Sequence, residues 1–199
     1  MAEDGAALAD LSPRERRQAV EAILFAASKP VPLARLAACL GCDEDYLRGL
    51  LAGLAERWQR ERRGWVLQEI AGGWQLLSAP EAHLWIRRYD NRQLPEKLSR
   101  AALETLAVIA YKQPVTRGAI EDIRGVQCGA VLRQLLELKL IEVVGRDEQA
   151  LGRPLLYGTT AAFLQRFGLA RLEDLPRPHE FGLAPPRAER AVEQPRPPA

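Results

Sequence analysis

The sequence predicts a mainly helical α+β fold with small β-hairpins, in which one unit of three helices and a hairpin is built twice in tandem. Three observations carry that expectation. The stretch KPVPLARLAACLG at 29–41 recurs as KQPVTRGAIEDIRG at 112–125, and a shift of 84 positions sets Pro30 on Pro114, Val31 on Val115, Leu36 on Ile120, Cys39 on Ile123 and Gly41 on Gly125. In each half, apolar residues first recur at helical spacing and then fall into short extended runs. Hydrophobic residues make up 47% and charged residues 27% of the 199 positions, which suits one core-forming domain or two small ones.

The elements follow in order. Ser12 reads as an N-cap and Pro13 as the first position of a helix over 14–28, with Ala19, Ala22, Ile23 and Ala26 on one face and Val20, Leu24 and Phe25 widening it. Pro30 and Pro32 turn the chain, and a short second helix over 33–40 stops at Gly41. Asp43 caps a third helix to about residue 63, with Leu47, Leu50, Leu51 and Leu54 on one side. Runs at 65–70 and 74–78 around Ala71-Gly72-Gly73 read as a hairpin. Pro80 and Glu81 open a further helix through Tyr89. The order then repeats. Ser99 caps a helix with Leu103, Leu106, Ala107 and Ala110 on one face, Pro114 turns it, and Thr116 caps a short helix ending at Gly125. A third helix over 126–140 points Val131, Leu135 and Leu138 inward. Strands at 141–144 and 155–157 flank a loop over 145–154, and Thr160 caps a last helix to about Phe167.

Three helices followed by a two-stranded hairpin describe a winged helix, so the expected architecture is two tandem winged-helix domains. The division runs as a flexible lead at 1–12, a first domain at 13–90, a polar linker at 91–98, a second domain at 99–175 and a tail at 176–199. That tail holds seven of the 14 prolines without apolar periodicity, the signature of disorder. Nothing approaches a membrane-spanning apolar run, and MAEDGAALADLSPRERRQ has no apolar signal core, so a cytoplasmic location without membrane contact is expected.

Catalytic chemistry finds little support. Cys39-Leu-Gly-Cys42 is a C-x-x-C, but the chain offers only Cys128, His83 and His179 as further soft ligands, without metal-site spacing. The structural reading is that Cys39 is a small buried side chain at the end of a helix, as its repeat partner Ile123 would be. Neither histidine has an acid or nucleophile paired to it, and no Gly-Lys-Ser or Gly-Lys-Thr phosphate loop occurs. We therefore expect no catalytic residue, no metal, no cofactor and no enzyme.

The rival reading is a winged-helix DNA-binding transcriptional regulator. Base readout needs Arg, Lys, Asn or Gln on the first turns of the third helix. The first copy starts Asp43-Glu-Asp45, and the second offers only Gln127 and Arg133 among small apolar residues. The wing loop sets Arg146 and Arg153 beside Asp147 and Glu148, and 28 basic against 26 acidic residues leave a net charge of +2. Arg57, Arg60, Arg62 and Arg63 beside Glu56 and Glu61 allow at most weak phosphate contact. Protein–protein contact remains. All four tryptophans, Trp58, Trp65, Trp74 and Trp85, lie in the first copy, and those that its core does not bury are candidate interface anchors.

SRAALETLAVIAYKQPVTRGAIEDIRGV at 99–126, LLELKLIEVVGR at 135–146, GRPLLYGTT at 152–160 and FGLARLEDLP at 167–176 closely resemble the segregation and condensation protein B family, and AVEAILFAASKPVPLARLAACLG at 19–41 is similar to its N-terminal domain. The resemblance covers about residues 14–176. It implies a non-enzymatic subunit of the bacterial SMC–kleisin condensin complex, cytoplasmic and nucleoid-associated, acting in chromosome condensation and segregation during cell division. It implies a homodimer formed through the first domain and a kleisin partner, segregation and condensation protein A, bound by the second. The kleisin in turn reaches the SMC ATPase, so DNA contact is weak or indirect. On this resemblance Tyr111, Lys112, Gln113, Arg124, Arg153 and Tyr157 are expected to face the kleisin, and Ile23, Leu24 and Phe25 to serve dimerisation.

Overall fold

The computed structural model describes residues 11–89 and 98–176. Most of the expected lead, linker and tail therefore lies outside the described residues. Two edges belong to the domains instead, because Leu11 packs on the first core and Leu98 on the second.

Helix α1 (Pro13–Ala26) begins on a reciprocal cap. Ser12 Oγ accepts the Glu15 N–H at 3.3 Å, and the Glu15 carboxylate accepts the Ser12 N–H at 2.9 Å. Strand β1 (Val31–Pro32) leads straight into α2 (Leu33–Leu40), which ends at Gly41 with φ of 59°. That left-handed position favours glycine. Helix α3 (Glu44–Arg60) starts where Asp43 accepts the Asp45 and Tyr46 amides, and it buries Leu47, Leu51, Leu54 and Trp58. Strands β2 (Trp65–Ile70) and β3 (Gly73–Ser78) join through Ala71 and Gly72, both at positive φ, which is the two-residue turn that matches strand twist. A 3₁₀ turn (Pro80–Ala82) and α4 (His83–Tyr89) close the first domain.

The second domain repeats the order with α5 (Arg100–Lys112), β4 (Val115–Thr116), α6 (Arg117–Arg124), α7 (Gly129–Glu137), β5 (Ile141–Arg146), β6 (Leu155–Thr159) and α8 (Ala161–Phe167), followed by a 3₁₀ turn (Leu172–Asp174). Each domain has its own apolar core. Each sheet has three strands, in the orders β1-β3-β2 and β4-β6-β5. The recurring corner is the third strand, with Val31 opposite Trp74 in one copy and Val115 opposite Tyr157 in the other. The α+β tandem winged-helix architecture thus stands, with an extra two-residue strand per domain.

Several expectations shift. Helix α1 ends at Ala26 and α3 at Arg60, both short of their expected limits. Helix α7 starts at Gly129 rather than Val126, because Cys128 sits outside helical geometry at φ −119° and ψ 7°. Its end at Glu137 leaves Leu138 exposed where the chain turns into Lys139 at φ 56°. Leu103 and Ala107 face outward, because α5 buries Ala102, Thr105, Leu106, Ile109 and Ala110 instead. Cys39 is exposed rather than buried, since α2 turns Leu33, Leu36, Ala37 and Leu40 inward. Its partner Ile123 is exposed too, so the repeat holds while the expected burial does not. Among the tryptophans, Trp58 and Trp74 are buried, while Trp65 and Trp85 stay open.

Candidate partner-binding site

Where α5 ends, the chain makes a cis Gln113–Pro114 peptide and enters β4. The Gln113 side chain clips this corner to β6. Its Oε1 accepts the Thr159 N–H at 2.6 Å, and its Nε2 donates to Thr159 Oγ1 at 3.0 Å and to the Ala110 carbonyl at 3.3 Å. Across the sheet, the register skips one residue between Val143 and Gly145. Such a bulge re-aims a side chain, and Val144 leans over Gly158. A Cβ built on Gly158 would stand 2.8 Å from Val144 Cγ1 and 3.0 Å from Gln113 Oε1, so only glycine fits there without movement. Gln113, Pro114, Val144, Leu156 and Gly158 line a cleft of about 420 Å³. It is open and mainly apolar, with Val144 exposed at its edge. The cleft offers contact without a nucleophile, acid or metal ligand in its lining.

The residues expected to face a partner divide sharply. Gln113 lines the cleft, and Lys112, next to it in the chain, is exposed. Tyr111 is half-exposed, and its hydroxyl donates to the Pro176 carbonyl at 2.5 Å. Arg153 lies in the wing loop, ion-paired with Glu148, at φ 45°. Tyr157 is buried in the second core. Arg124 points inward. It donates to the Ala101 carbonyl at 3.0 Å, to the Thr105 hydroxyl and to Glu104 at 2.8 Å, with only 11% of its side chain exposed. Of the dimerisation guesses, Leu24 belongs to the first core, Ile23 packs against it, and Phe25 is 82% exposed.

A second ionic cluster sets the start of α7. Cys128 provides no side-chain cap, and Glu121 Oε1 accepts its N–H at 2.9 Å while meeting Arg117 at 2.8 Å. The Cys128 N–H, and next the Arg117 guanidinium, hold the Glu121 carboxyl below the ordinary carboxylate range. Burial, and then Glu121, push the Cys128 thiol up, so it is the opposite of an activated thiolate.

Sequence reasoning did not find Val144, Leu156 and Gly158. The glycine next to Tyr157 was visible, but the bulge that brings Val144 over it was not. It predicted α4 and named Trp85 as a candidate anchor, but not that Leu84, Ile86 and Tyr89 would be exposed with it and none of the helix buried.

DNA-reading geometry is weak. The first turn of α3 carries Glu44 and Asp45. In the second wing, Arg153 is paired with Glu148, and Asp147 accepts the Gln149 and Ala150 amides. No helix among the described residues is long and apolar enough to cross a membrane.

Fold and site together define a tandem winged-helix protein whose second wing frames an apolar cleft in place of a base-reading surface. The chain belongs to the family described as segregation and condensation complex subunit ScpB, whose model matches residues 18–178. It is 48% identical over 167 residues to segregation and condensation protein B of Syntrophotalea carbinolica, covering 84% of each chain. Among solved structures it is similar to ScpB from Mycobacterium tuberculosis, at 34% identity over 81% of this chain and 99% of that one, with a TM-score of 0.41. It is also similar, at 28% identity over 38% of this chain and 95% of the other, with a TM-score of 0.37, to a dimer of the ScpB N-terminal domain complexed with a ScpA peptide.

Proposed function

We propose that this chain is a non-enzymatic scaffold of the SMC–kleisin complex that pairs through its first domain and holds the kleisin at the cleft of its second. Family membership supports the complex. The observation that carries the kleisin reading is the cleft itself. It is apolar and open, and it is lined by Gly158 and the exposed Val144 among others. An apolar side chain from an extended or helical segment fits such a seat. Lys112, exposed and next in the chain to Gln113, offers a cation for an acidic flank of that segment. The first domain leaves apolar side chains open to a second copy, Phe25 on α1 and Leu84, Trp85 and Ile86 on α4. The kleisin then carries the link to the SMC ATPase, and any contact with DNA runs through the assembly.

Co-purification with the expected kleisin, segregation and condensation protein A, tests the reading. The full chain should form the complex, and Val144→Glu should lose it while keeping a two-domain melting profile. Trp85→Asp should convert a dimer to a monomer in light scattering and leave kleisin capture in place. A folded Val144→Glu protein that binds as the parent does would move the site elsewhere.

A further inference from the structure

The tip of the first hairpin is occupied. In a two-residue hairpin turn the two central amides have no partner within the hairpin. Here both are used, since the Ala71 N–H donates to the Leu169 carbonyl at 2.9 Å and the Gly72 N–H to the Ala170 carbonyl at 3.0 Å. The Gln68 side-chain amide adds a bond to the Gly168 carbonyl at 3.2 Å.

Strand alternation explains what else is covered. Leu67 packs in the first core, so Gln68 and Ile70 lie on the opposite face of β2. That outer face would be wet in a lone winged helix. Ile70 is nevertheless only 1% exposed, and it belongs to neither apolar core. The second domain's segment Gly168–Ala170 lies against the same face, at Gln68 and the turn.

The segment is also held from behind. Gly168 ends α8 at φ 67°, and the Leu169 N–H closes back on the Leu164 carbonyl at 2.9 Å. The Leu169 side chain packs on the second core. Its carbonyl and that of Ala170 are thereby presented outward as a short, stiff acceptor pair.

We propose that the first wing tip is a main-chain docking site filled in cis by Gly168–Ala170, a latch that fixes one domain against the other. The recognition is two backbone amides, one carboxamide and an apolar seat, so it reads backbone shape and not side-chain identity. Releasing it frees the domains to reorient and exposes Ile70 together with the turn amides.

The test uses the full chain with its cysteines replaced (Cys39→Ser, Cys42→Ser, Cys128→Ala) and spin labels at exposed Gln59 and Gln165. The latched protein should give one narrow distance by double electron–electron resonance. Ile70→Asp should broaden it while thermal melts show both domains folded. Amide exchange on the unmodified chain gives an independent reading should that variant misfold. The Ala71 and Gly72 amides should exchange about tenfold or more slowly than free amides. A broad distribution in the labelled parent, a narrow one that Ile70→Asp leaves unchanged, or free exchange at Ala71 and Gly72 would each overturn the latch.

Discussion

Arg124 gives the sharpest test of whether the polar dressing of the recurring corner serves a partner or the fold. Truncation to alanine removes its bonds to the Ala101 carbonyl and the Thr105 hydroxyl and its ion pair with Glu104. The damage is bounded, because Thr105 keeps its own bond to the Ala101 carbonyl at 2.9 Å and Glu104 keeps Arg100 at 2.9 Å. No buried group is orphaned. What is lost is one largely buried charged donor set, worth about 2–3 kcal/mol. For a domain of this size each kcal/mol moves the melting midpoint by roughly 4–8 °C, so the second domain should melt about 8–24 °C lower. The chain makes the assay domain-specific. All four tryptophans lie in the first domain, so tryptophan fluorescence follows that domain while circular dichroism follows both. Arg124→Ala should split the two traces, lowering the dichroism transition and leaving the fluorescence one nearly in place. A variant that melts like the parent and loses only kleisin capture would refute the inward role.

Other perturbations follow from single contacts. Ser12→Ala removes the reciprocal cap of α1 and should cost about 1 kcal/mol, read as a lower tryptophan-fluorescence midpoint with the second domain unchanged. Gly158→Ala forces Val144 or Gln113 to move and should cost about 1–3 kcal/mol in the second domain, with kleisin affinity falling alongside. Glu121 titrates below the ordinary carboxylate range when folded, so its stabilisation is complete above that range and is lost as pH falls through the depressed folded value. Acid melts of the second domain should show that loss, and Glu121→Gln should flatten it while lowering stability at neutral pH.

Legibility in the sequence tracked locality. Ser12, Asp43, Ser99, Thr116 and Thr160 all cap helices as expected, because a cap is decided within three residues. Gly41 and Gly125 end their helices for the same reason. Longer-range outcomes were hidden. A two-residue strand such as Val115–Thr116 has no periodicity to read, and only its pairing with β6 defines it. The face that α5 buries is set by α6, α7 and β6 packing on it together, which is why Leu103 turned outward while Thr105 and Arg124 turned in. Tyr157 and Lys112 look equally available in a string of letters, yet the strand pleat sends one to the core and the helix end leaves the other wet. Helix α4 reads as one more amphipathic element, because sequence cannot show that none of its residues is buried among the described ones.

The recurring corner also explains how one fold yields two different surfaces. In the first copy β1 crosses directly over Gly73, where an added Cβ would stand 2.9 Å from the Val31 carbonyl carbon and oxygen. Glycine there lets two backbones meet within the three-stranded sheet. In the second copy the crowded glycine is Gly158, and the atoms above it belong to the Val144 and Gln113 side chains. Leu156 takes Gly73's place opposite the third strand, and Gly158 stands two residues beyond it, so the cleft opens at a different point of the sheet. The third helix changes in step, from 17 residues in α3 to nine in α7, which shortens the packed body behind the second wing. The corner is conserved between copies because the bend and third strand require it. The atoms crowding each glycine differ, main chain over Gly73 and side chains over Gly158, and the proposed partner cleft lies beside the second.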